Sequence, residues 1–229
     1  MLILFDIDLT LLTTNGAGMK ALGDAGRDRF GPGFDESRTD YAGRLDPLII
    51  ADLLEANGVE PSEAHAAGMR AGYAQHLEHR LRERPAKALP GTGALIDALA
   101  ALDGMTLGVL TGNFEQTGRL KLASAGLERD EFTLNVWGDQ SPHVPPKREH
   151  LPAVAIERYR EEVHPGFMPD EVVVIGDTVH DVSCALANGC RVLAVATGHA
   201  TADDLERAGA HRVVSNLADT EGVMDWITR

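Results

Sequence analysis

The sequence predicts an α/β protein, namely a doubly wound parallel sheet of about six strands with an all-helical segment inserted after the first strand. Short apolar runs recur along the chain, and most of them end in a polar turn such as Gly-Asp or Thr-Gly. Helical patterns separate these runs, as expected for right-handed crossovers between parallel strands. Residues 15–87 break the alternation, because they contain helical patterns and no strand pattern.

The strands are predicted from six apolar runs that alternate with helical patterns. They cover residues 2–5, 105–110, 132–137, 171–175, 191–196 and, more weakly, 213–214. Helices of the sheet domain are predicted over residues 91–102, 114–125, 147–162, 180–188, 202–208 and 221–228. Because helices alternate with strands, consecutive strands are expected to run parallel, with helices on both faces of the sheet.

Three helical patterns make up the inserted segment, over residues 17–30, 46–57 and 62–83. In the second of them, the apolar residues recur at helical spacing, as Leu48, Ile49, Leu53 and Leu54 show. The pattern predicts a helical cap domain of residues 15–87 on a core domain of residues 1–14 and 88–229. Hinges between the two are expected near residues 13–18 and 85–90.

Composition narrows the classes of partner. The 229 residues include 21 Lys and Arg against 35 Asp and Glu, a net charge of −14, which argues against binding to nucleic acid or to an anionic membrane. An anionic substrate then requires a metal or a local group of cations. The two cysteines, Cys184 and Cys190, form no disulfide framework, and no apolar run approaches the length of a membrane span. With an amino terminus unlike a signal peptide, these features predict a cytoplasmic protein.

Polar side chains follow three of the predicted strands, at the edge where ligands bind to open parallel sheets. These residues are Asp6, Asp8, Thr111, Asn113, Asp177 and Asp181. Four carboxylates at one edge repel each other unless a cation lies among them. Oxygen ligands favour a hard ion, so the sequence predicts a Mg²⁺ site.

Three segments together resemble the haloacid dehalogenase-like superfamily. Residues 6–10, D-I-D-L-T, resemble its first motif, residues 110–113, L-T-G-N, its second, and residues 176–181, G-D-T-V-H-D, its fourth. The motifs occur in the family's order and at the expected strand ends. The resemblance implies a Rossmann-like core and, from the position of the helical insertion, a C1 cap like that of phosphoglycolate-phosphatase-like and β-phosphoglucomutase-like members.

The resemblance also implies a role for each motif residue. Asp6 is the expected nucleophile that forms an aspartyl-phosphate, and Asp8 the expected general acid and then base. Mg²⁺ is expected to bind the carboxylate of Asp6, the backbone carbonyl of Asp8 and the carboxylate of Asp177. Asp181 is expected to assist through water or by orienting its neighbours. The residues expected to bind the phosphate or the substrate in these motifs are Thr10, Thr111, Gly112 and Asn113.

Two further cations are expected near the substrate. The family's third motif is a cation that pairs with the nucleophile, and here Lys147 is favoured over its neighbour Arg148, which fits if the register shifts by one. In the cap, residues 43–46, G-R-L-D, resemble a segment of C1-capped relatives that places Arg44 over the site. The alternatives for this segment are a surface arginine and a helix start in which Asp46 is the N-cap.

The sequence therefore predicts a Mg²⁺-dependent phosphatase that hydrolyses a small-metabolite phosphomonoester through an aspartyl-phosphate. The alternatives are a β-phosphoglucomutase-like phosphomutase and a non-catalytic phosphate-binding module. Asp8 disfavours a haloalkanoate dehalogenase, which needs no acid for a leaving alkoxide, whereas Lys20 leaves a phosphonate hydrolase open. By resemblance, phosphoglycolate is the first substrate to consider, and the protein is expected to be a monomer or a homodimer.

Overall fold

A computed structural model describes all residues 1–229, and it confirms the predicted α/β fold class. Five parallel strands form the main sheet in the order β4-β1-β5-β6-β7. They are β1 (Leu2–Phe5), β4 (Thr106–Val109), β5 (Val172–Gly176), β6 (Arg191–Val195) and β7 (Arg212–Val214). Two short strands, β2 (Leu12–Thr13) and β3 (Lys87–Ala88), pair separately in antiparallel orientation. The strand order changes direction at β1, so ligands are expected next to the carboxyl end of β1.

Nine α-helices accompany the strands. Three lie in the inserted segment: α1 (Ala17–Phe30), α2 (Asp46–Ala56) and α3 (Glu63–Glu83). The other six are α4 (Thr92–Ala100), α5 (Glu115–Ser124), α6 (Leu151–Glu162), α7 (Val179–Ala187), α8 (Ala202–Arg207) and α9 (Thr220–Ile227). None of these helices combines the length and the apolar character needed to cross a membrane.

The central strands are buried on both faces, which is why they are apolar without alternation. In β1, Ile3 and Phe5 belong to one hydrophobic cluster, whereas Leu2 and Leu4 belong to the other. Side chains of α4, α5 and α9 join the first cluster, and those of α6, α7 and α8 join the second. The first cluster also continues into the helices of the inserted segment, so the sheet and this segment share a contiguous core.

The predicted strand over residues 132–137 does not form, and the sheet has five strands instead of about six. This segment lies beside β4 but pairs only at two isolated bridges, Leu107 with Phe132 and Leu110 with Val136. Between them the side chain of Asn135 accepts the hydrogen bond of the Val109 amide, at 2.9 Å. A side chain therefore takes the place of a backbone acceptor, which interrupts the ladder.

The inserted segment enters and leaves the sheet domain through β2 and β3. Leu12 pairs with Ala88 and Thr13 with Lys87, so the two crossings are hydrogen-bonded neighbours. These strands lie within or beside the predicted hinges, and neither was predicted, because two residues are too few to show a strand pattern. The boundaries of a core and a cap domain stay a prediction.

Candidate active site

Three carboxylates meet at the carboxyl ends of β1 and β5. These strands are hydrogen-bonded neighbours, so Asp6 after β1 and Asp177 after β5 lie side by side. Asp181 lies next to them, in the first turn of α7. One carboxylate oxygen of each residue lies within 4.8 Å of the other two. All three side chains are buried.

Close packing holds these acids in place. A side chain at Gly198 would put its Cβ 1.8 Å from Oδ2 of Asp177, so glycine is required where the loop after β6 passes the carboxylate. Asp181 is fixed within α7, because its Oδ2 accepts hydrogen bonds from the amide and the hydroxyl of Thr178. The hydroxyl of Thr10 donates to Oδ1 of Asp177 at 3.1 Å.

The three carboxyl groups are costly to ionise together, even with the guanidinium of Arg148 beside them. Burial, with the neighbouring carboxylate of Asp181, raises the pKa of Asp177 to about 8. Burial also raises the pKa of Asp6 to about 6, although the Arg148 guanidinium opposes the shift. Three carboxylates against one guanidinium leave two negative charges, and oxygen donors of this kind suit a hard divalent ion. The residues present therefore fit Mg²⁺.

The cation beside Asp6 is Arg148, whereas the sequence favours Lys147 for this place. Nη2 of Arg148 lies 3.0 Å from Oδ1 of Asp6 and also contacts Oδ1 of Asp181. The chain turns through a short 3₁₀ helix, Arg148–His150, which directs Arg148 inward, while Lys147 is exposed. Arg148 also has a buried Nε without a partner. The structure therefore places Arg148, and not the favoured Lys147, beside Asp6, and the role of either residue as the third-motif cation stays a prediction.

Asp8 is held differently from Asp6. Its side chain is 40% exposed and faces the cavity between the sheet and the inserted helices. Its Oδ2 accepts hydrogen bonds from Nζ of Lys121 at 2.6 Å and from Nδ2 of Asn113 at 2.9 Å. Lys121 lies on α5, is 4% exposed, and also donates to Oδ1 of Asn113. Although burial opposes the shift, Asp8 and other nearby acidic groups raise the pKa of Lys121.

Lys121 was not predicted from the sequence. It follows Asn113 and Thr117 at intervals of four residues, so the three polar residues share one side of the chain as it enters and forms α5. All three are buried. A row of polar residues on the buried side of a helix was the available signal, but a sequence alone does not show which side is buried.

The loop after β4 contacts the inserted segment directly. Thr111 is buried, and its Oγ1 accepts a hydrogen bond from Nδ2 of Asn113 at 2.8 Å. The carbonyl of Gly112 accepts a hydrogen bond from the amide of Asp46 at 2.7 Å. A Cβ at Gly112 would lie 2.0 Å from the carbonyl oxygen of Arg44, so only glycine allows this approach.

Asp46 does not cap its own helix, which was one of the alternatives. Its Oδ2 accepts hydrogen bonds from the amide of Phe114 at 2.9 Å and from the hydroxyl of Thr117 at 3.3 Å. An acid of the inserted segment thus lies at the amino terminus of α5, where the helix dipole favours a negative charge. Burial raises the pKa of Asp46 to about 6.

Two predicted substrate-binding residues are engaged elsewhere. Thr10 is buried and bonds to Asp177, and it does not line the cavity. Arg44 does line the cavity, but its Nη1 lies 2.6 Å from Oδ2 of Asp52 and also donates to Thr39. In this conformation the Arg44 guanidinium is paired within the inserted segment.

The cavity has a volume of about 700 Å³ and lies between the two parts of the chain. The sheet domain contributes the acids and the loop after β4, together with Arg148, His180 and His199. The opposite wall, from the inserted segment, combines apolar and aromatic side chains with polar ones. The apolar and aromatic residues are Met19, Leu22, Tyr41, Ile49 and Tyr73, and the charged ones are Asp40, Arg44 and Asp46. The arrangement combines an aspartate beside a cation, a second aspartate facing the cavity, and a group of oxygen ligands for a metal.

Comparison of the sequence with known proteins shows which family the chain resembles. The sequence profile of the haloacid dehalogenase-like hydrolases matches residues 3–186. The chain is 31% identical over 180 residues to a phosphoglycolate phosphatase of Chromobacterium violaceum, a match covering 76% of this chain and 75% of the relative. It is 30% identical over 224 residues to the probable phosphatase IndB of Dickeya dadantii, covering 96% of this chain and 92% of the relative.

Solved structures share the fold. CbbY of Rhodobacter sphaeroides in complex with phosphate superposes with a TM-score of 0.75 at 21% identity, over 95% of each chain. A hydrolase of Pseudomonas syringae superposes with a TM-score of 0.73 at 23% identity, over 99% of each chain. At this level of identity the likeness establishes the architecture of both the sheet domain and the inserted helices.

Proposed function

The chain belongs to the haloacid dehalogenase-like hydrolases, and on this premise we propose that it is a Mg²⁺-dependent phosphatase that hydrolyses a small-metabolite phosphomonoester through an aspartyl-phosphate. The observation that carries the proposal is the contrast between two aspartates. Asp6 is buried against Arg148, as a nucleophile that must stay ionised requires, whereas Asp8 faces the cavity, as an acid and base requires.

In the first step, a carboxylate oxygen of Asp6 forms a bond to phosphorus as the bond from phosphorus to the ester oxygen breaks. The proton on the carboxyl group of Asp8 moves to the leaving oxygen, so that an alcohol departs and Asp8 becomes a carboxylate. Arg148 and Thr111 line the same cavity as Asp6, and their proposed role is to stabilise the charge on the phosphoryl oxygens.

In the second step, water attacks phosphorus and gives a proton to Asp8. The bond between phosphorus and Asp6 breaks, and its electron pair returns to the carboxylate. Inorganic phosphate leaves, and both aspartates are restored to their starting protonation states. The net reaction consumes one ester and one water and releases one alcohol and one phosphate.

We assign the metal to the carboxylates of Asp6 and Asp177 and the backbone carbonyl of Asp8. When bound, Mg²⁺ supplies positive charge next to the phosphoryl oxygens and offsets the repulsion between the acids. Asp181 is better suited to orientation than to ligation, because Arg148 occupies its Oδ1 and Thr178 its Oδ2. The role proposed for Asp181 is to hold the Arg148 guanidinium against Asp6.

Phosphoglycolate is the first substrate to test, because the Chromobacterium violaceum relative is named for it. Both relatives described above are named phosphatases, which favours hydrolysis over a phosphomutase reaction or simple phosphate binding. A cytoplasmic location and a monomeric or homodimeric state remain predictions.

The test is phosphate release from p-nitrophenyl phosphate and from a panel of phosphorylated metabolites, with Mg²⁺ and with EDTA. We expect Mg²⁺-dependent release, loss of release in EDTA, and a loss of at least about a thousandfold in Asp6→Asn with the fold intact. Full activity of Asp6→Asn would contradict the mechanism. Conversion of a sugar phosphate to an isomer without phosphate release would identify a mutase, and phosphate binding without turnover a binding module.

A further inference from the structure

The least explained charged group in the site is the ammonium of Lys121. It lies almost fully buried on α5, away from the Asp6 and Arg148 pair, and the proposed reaction assigns it no role. Burying an ammonium is expensive unless every donor finds a partner. Its contacts therefore indicate what the charge is used for.

The contacts of Lys121 concentrate on one oxygen of Asp8. Nζ of Lys121 and Nδ2 of Asn113 both donate to Oδ2 of Asp8, at 2.6 Å and 2.9 Å. Lys121 also donates to Oδ1 of Asn113 at 2.5 Å, which fixes the amide with its Nδ2 toward Asp8. Lys121 thus holds Oδ2 directly and also through Asn113. The other oxygen, Oδ1, accepts no side-chain hydrogen bond.

We propose that Lys121 is a positioning residue that holds Oδ2 of Asp8 and thereby presents Oδ1 to the ester oxygen of the substrate. Oδ1 is then the atom that gives a proton to the leaving alkoxide and later takes one from water. The inference rests on the proposed phosphatase function, in which Asp8 is the acid and base. Each aspartate thus has its own cation. Arg148 pairs with Asp6, the proposed nucleophile, and Lys121 pairs with Asp8, the proposed acid and base.

The substrate's leaving group distinguishes this role from a structural or phosphate-binding one. An alkyl phosphate needs its alkoxide protonated, whereas 2,4-dinitrophenolate leaves readily without a proton. A residue that acts through the acid should therefore matter more for an alkyl ester. The quantity to compare is kcat/KM, because it covers the steps up to departure of the alcohol and omits the hydrolysis of the intermediate.

In Lys121→Met we expect kcat/KM for an alkyl phosphate to fall at least about tenfold more than kcat/KM for 2,4-dinitrophenyl phosphate. Arg119→Met is the matched control, because Arg119 lies exposed on the same helix and should leave both values unchanged. Lys121→Gln, which keeps a polar side chain in the buried pocket, is the second variant if Lys121→Met fails to fold, and we expect a difference between the two esters in the same direction. An equal loss for both esters, or no loss, would overturn the proposal.

A double-mutant cycle with Asp8→Asn tests whether the loss of activity in Lys121→Met depends on Asp8. If Lys121 acts through Asp8, adding Lys121→Met to Asp8→Asn should cost less than about threefold more in kcat/KM for the alkyl phosphate, the ester on which Lys121→Met alone costs at least about tenfold. Losses that multiply independently would overturn the positioning role while leaving the phosphatase function intact. If the wild-type protein hydrolysed neither ester nor the metabolite panel, the phosphatase function would fail and this proposal with it.

Discussion

The two aspartates of the first motif are separated by one residue, yet their side chains lie in different surroundings. Asp6 is buried among groups of the sheet domain, and its cation is Arg148. Asp8 is open to the cavity, and its cation, Lys121, lies near Asp46 of the inserted segment. On the Asp6 side, the acids and their cation all come from the sheet domain, although Arg148 also donates to the carbonyl of Gly43 in the inserted segment. On the Asp8 side, the inserted segment contributes a charged group of its own, Asp46.

The net charge around Asp6 also differs from the net charge around Asp8. Asp6, Asp177 and Asp181 face one guanidinium, an excess of two negative charges that a divalent ion offsets. On the other side Asp8 and Asp46 face one ammonium, so the excess is one. Because the excess negative charge is larger on the Asp6 side, the two sides should respond differently to substitution, to loss of contact between the two parts of the chain, and to pH.

The largest expected effect is on the Asp6 side. Arg148→Met removes the cation from Asp6 and should lower kcat/KM at least about a hundredfold, because a donor aimed at the phosphoryl group is lost. Lys147→Met should change it by less than about threefold, since Lys147 is exposed. Phosphate-release kinetics of the two variants decide which neighbour is the third-motif cation. A larger loss in Lys147→Met would contradict the assignment.

An intermediate effect is expected at the contact between the two parts of the chain. Asp46→Ala leaves the buried amide of Phe114 without its acceptor and should lower the free energy of unfolding by about 1–3 kcal/mol. Asp52→Ala, on the same helix, breaks a more exposed pair with Arg44 and should cost less than about 1 kcal/mol. Urea unfolding measures both. Equal losses would show that the Asp46 contact contributes nothing beyond a surface ion pair.

The third expected difference is in the dependence of stability on pH. The pKa of Asp177 is about 8 in the folded protein without metal and near 3.8 in the unfolded chain, and that of Asp6 is about 6. The folded state therefore binds more protons in this range, so the stability that these groups contribute is present at low pH and is lost as the pH rises toward 8.

The corresponding measurement is Tm from pH 5 to 8.5, in EDTA and in saturating Mg²⁺. In EDTA the Tm should fall across this range by about 2–4 °C for each kcal/mol lost. Mg²⁺ favours the ionised carboxylates and should weaken this fall, because it binds the folded state. Parallel Tm curves with and without Mg²⁺ would contradict a metal site built on Asp6 and Asp177.

The arrangement of the Asp6 side could be predicted from the sequence better than that of the Asp8 side, for a physical reason. Motif residues at the ends of buried strands are placed by the strand order, so Asp6 and Asp177 were predicted to be neighbours. Arg148 was one of two candidates, because a 3₁₀ turn decides which neighbour points inward. Lys121 was missed, because its partners depend on how α5 packs against the rest of the chain.

The same limit applies to the fold. The alternation of apolar runs and helices was enough for the fold class and for five of the strands. Residues 132–137 have the composition of a strand, but their pairing with β4 is interrupted. At the interruption, the side chain of Asn135 accepts the hydrogen bond of a backbone amide of β4. Hydrophobic patterns record burial, and they do not record which group completes a hydrogen bond.

The pairing of β2 with β3 suggests that the inserted segment can be replaced without changing the rest of the protein. Thr13 and Lys87 face each other across an antiparallel pair, as the last residues of a hairpin do. The chain thus leaves and re-enters the sheet domain at one place, and everything from residue 14 to residue 86 is topologically equivalent to one long turn. A tight turn in its place would join the same two strands, so lids of other sizes can be grafted there without altering the path of the remaining chain.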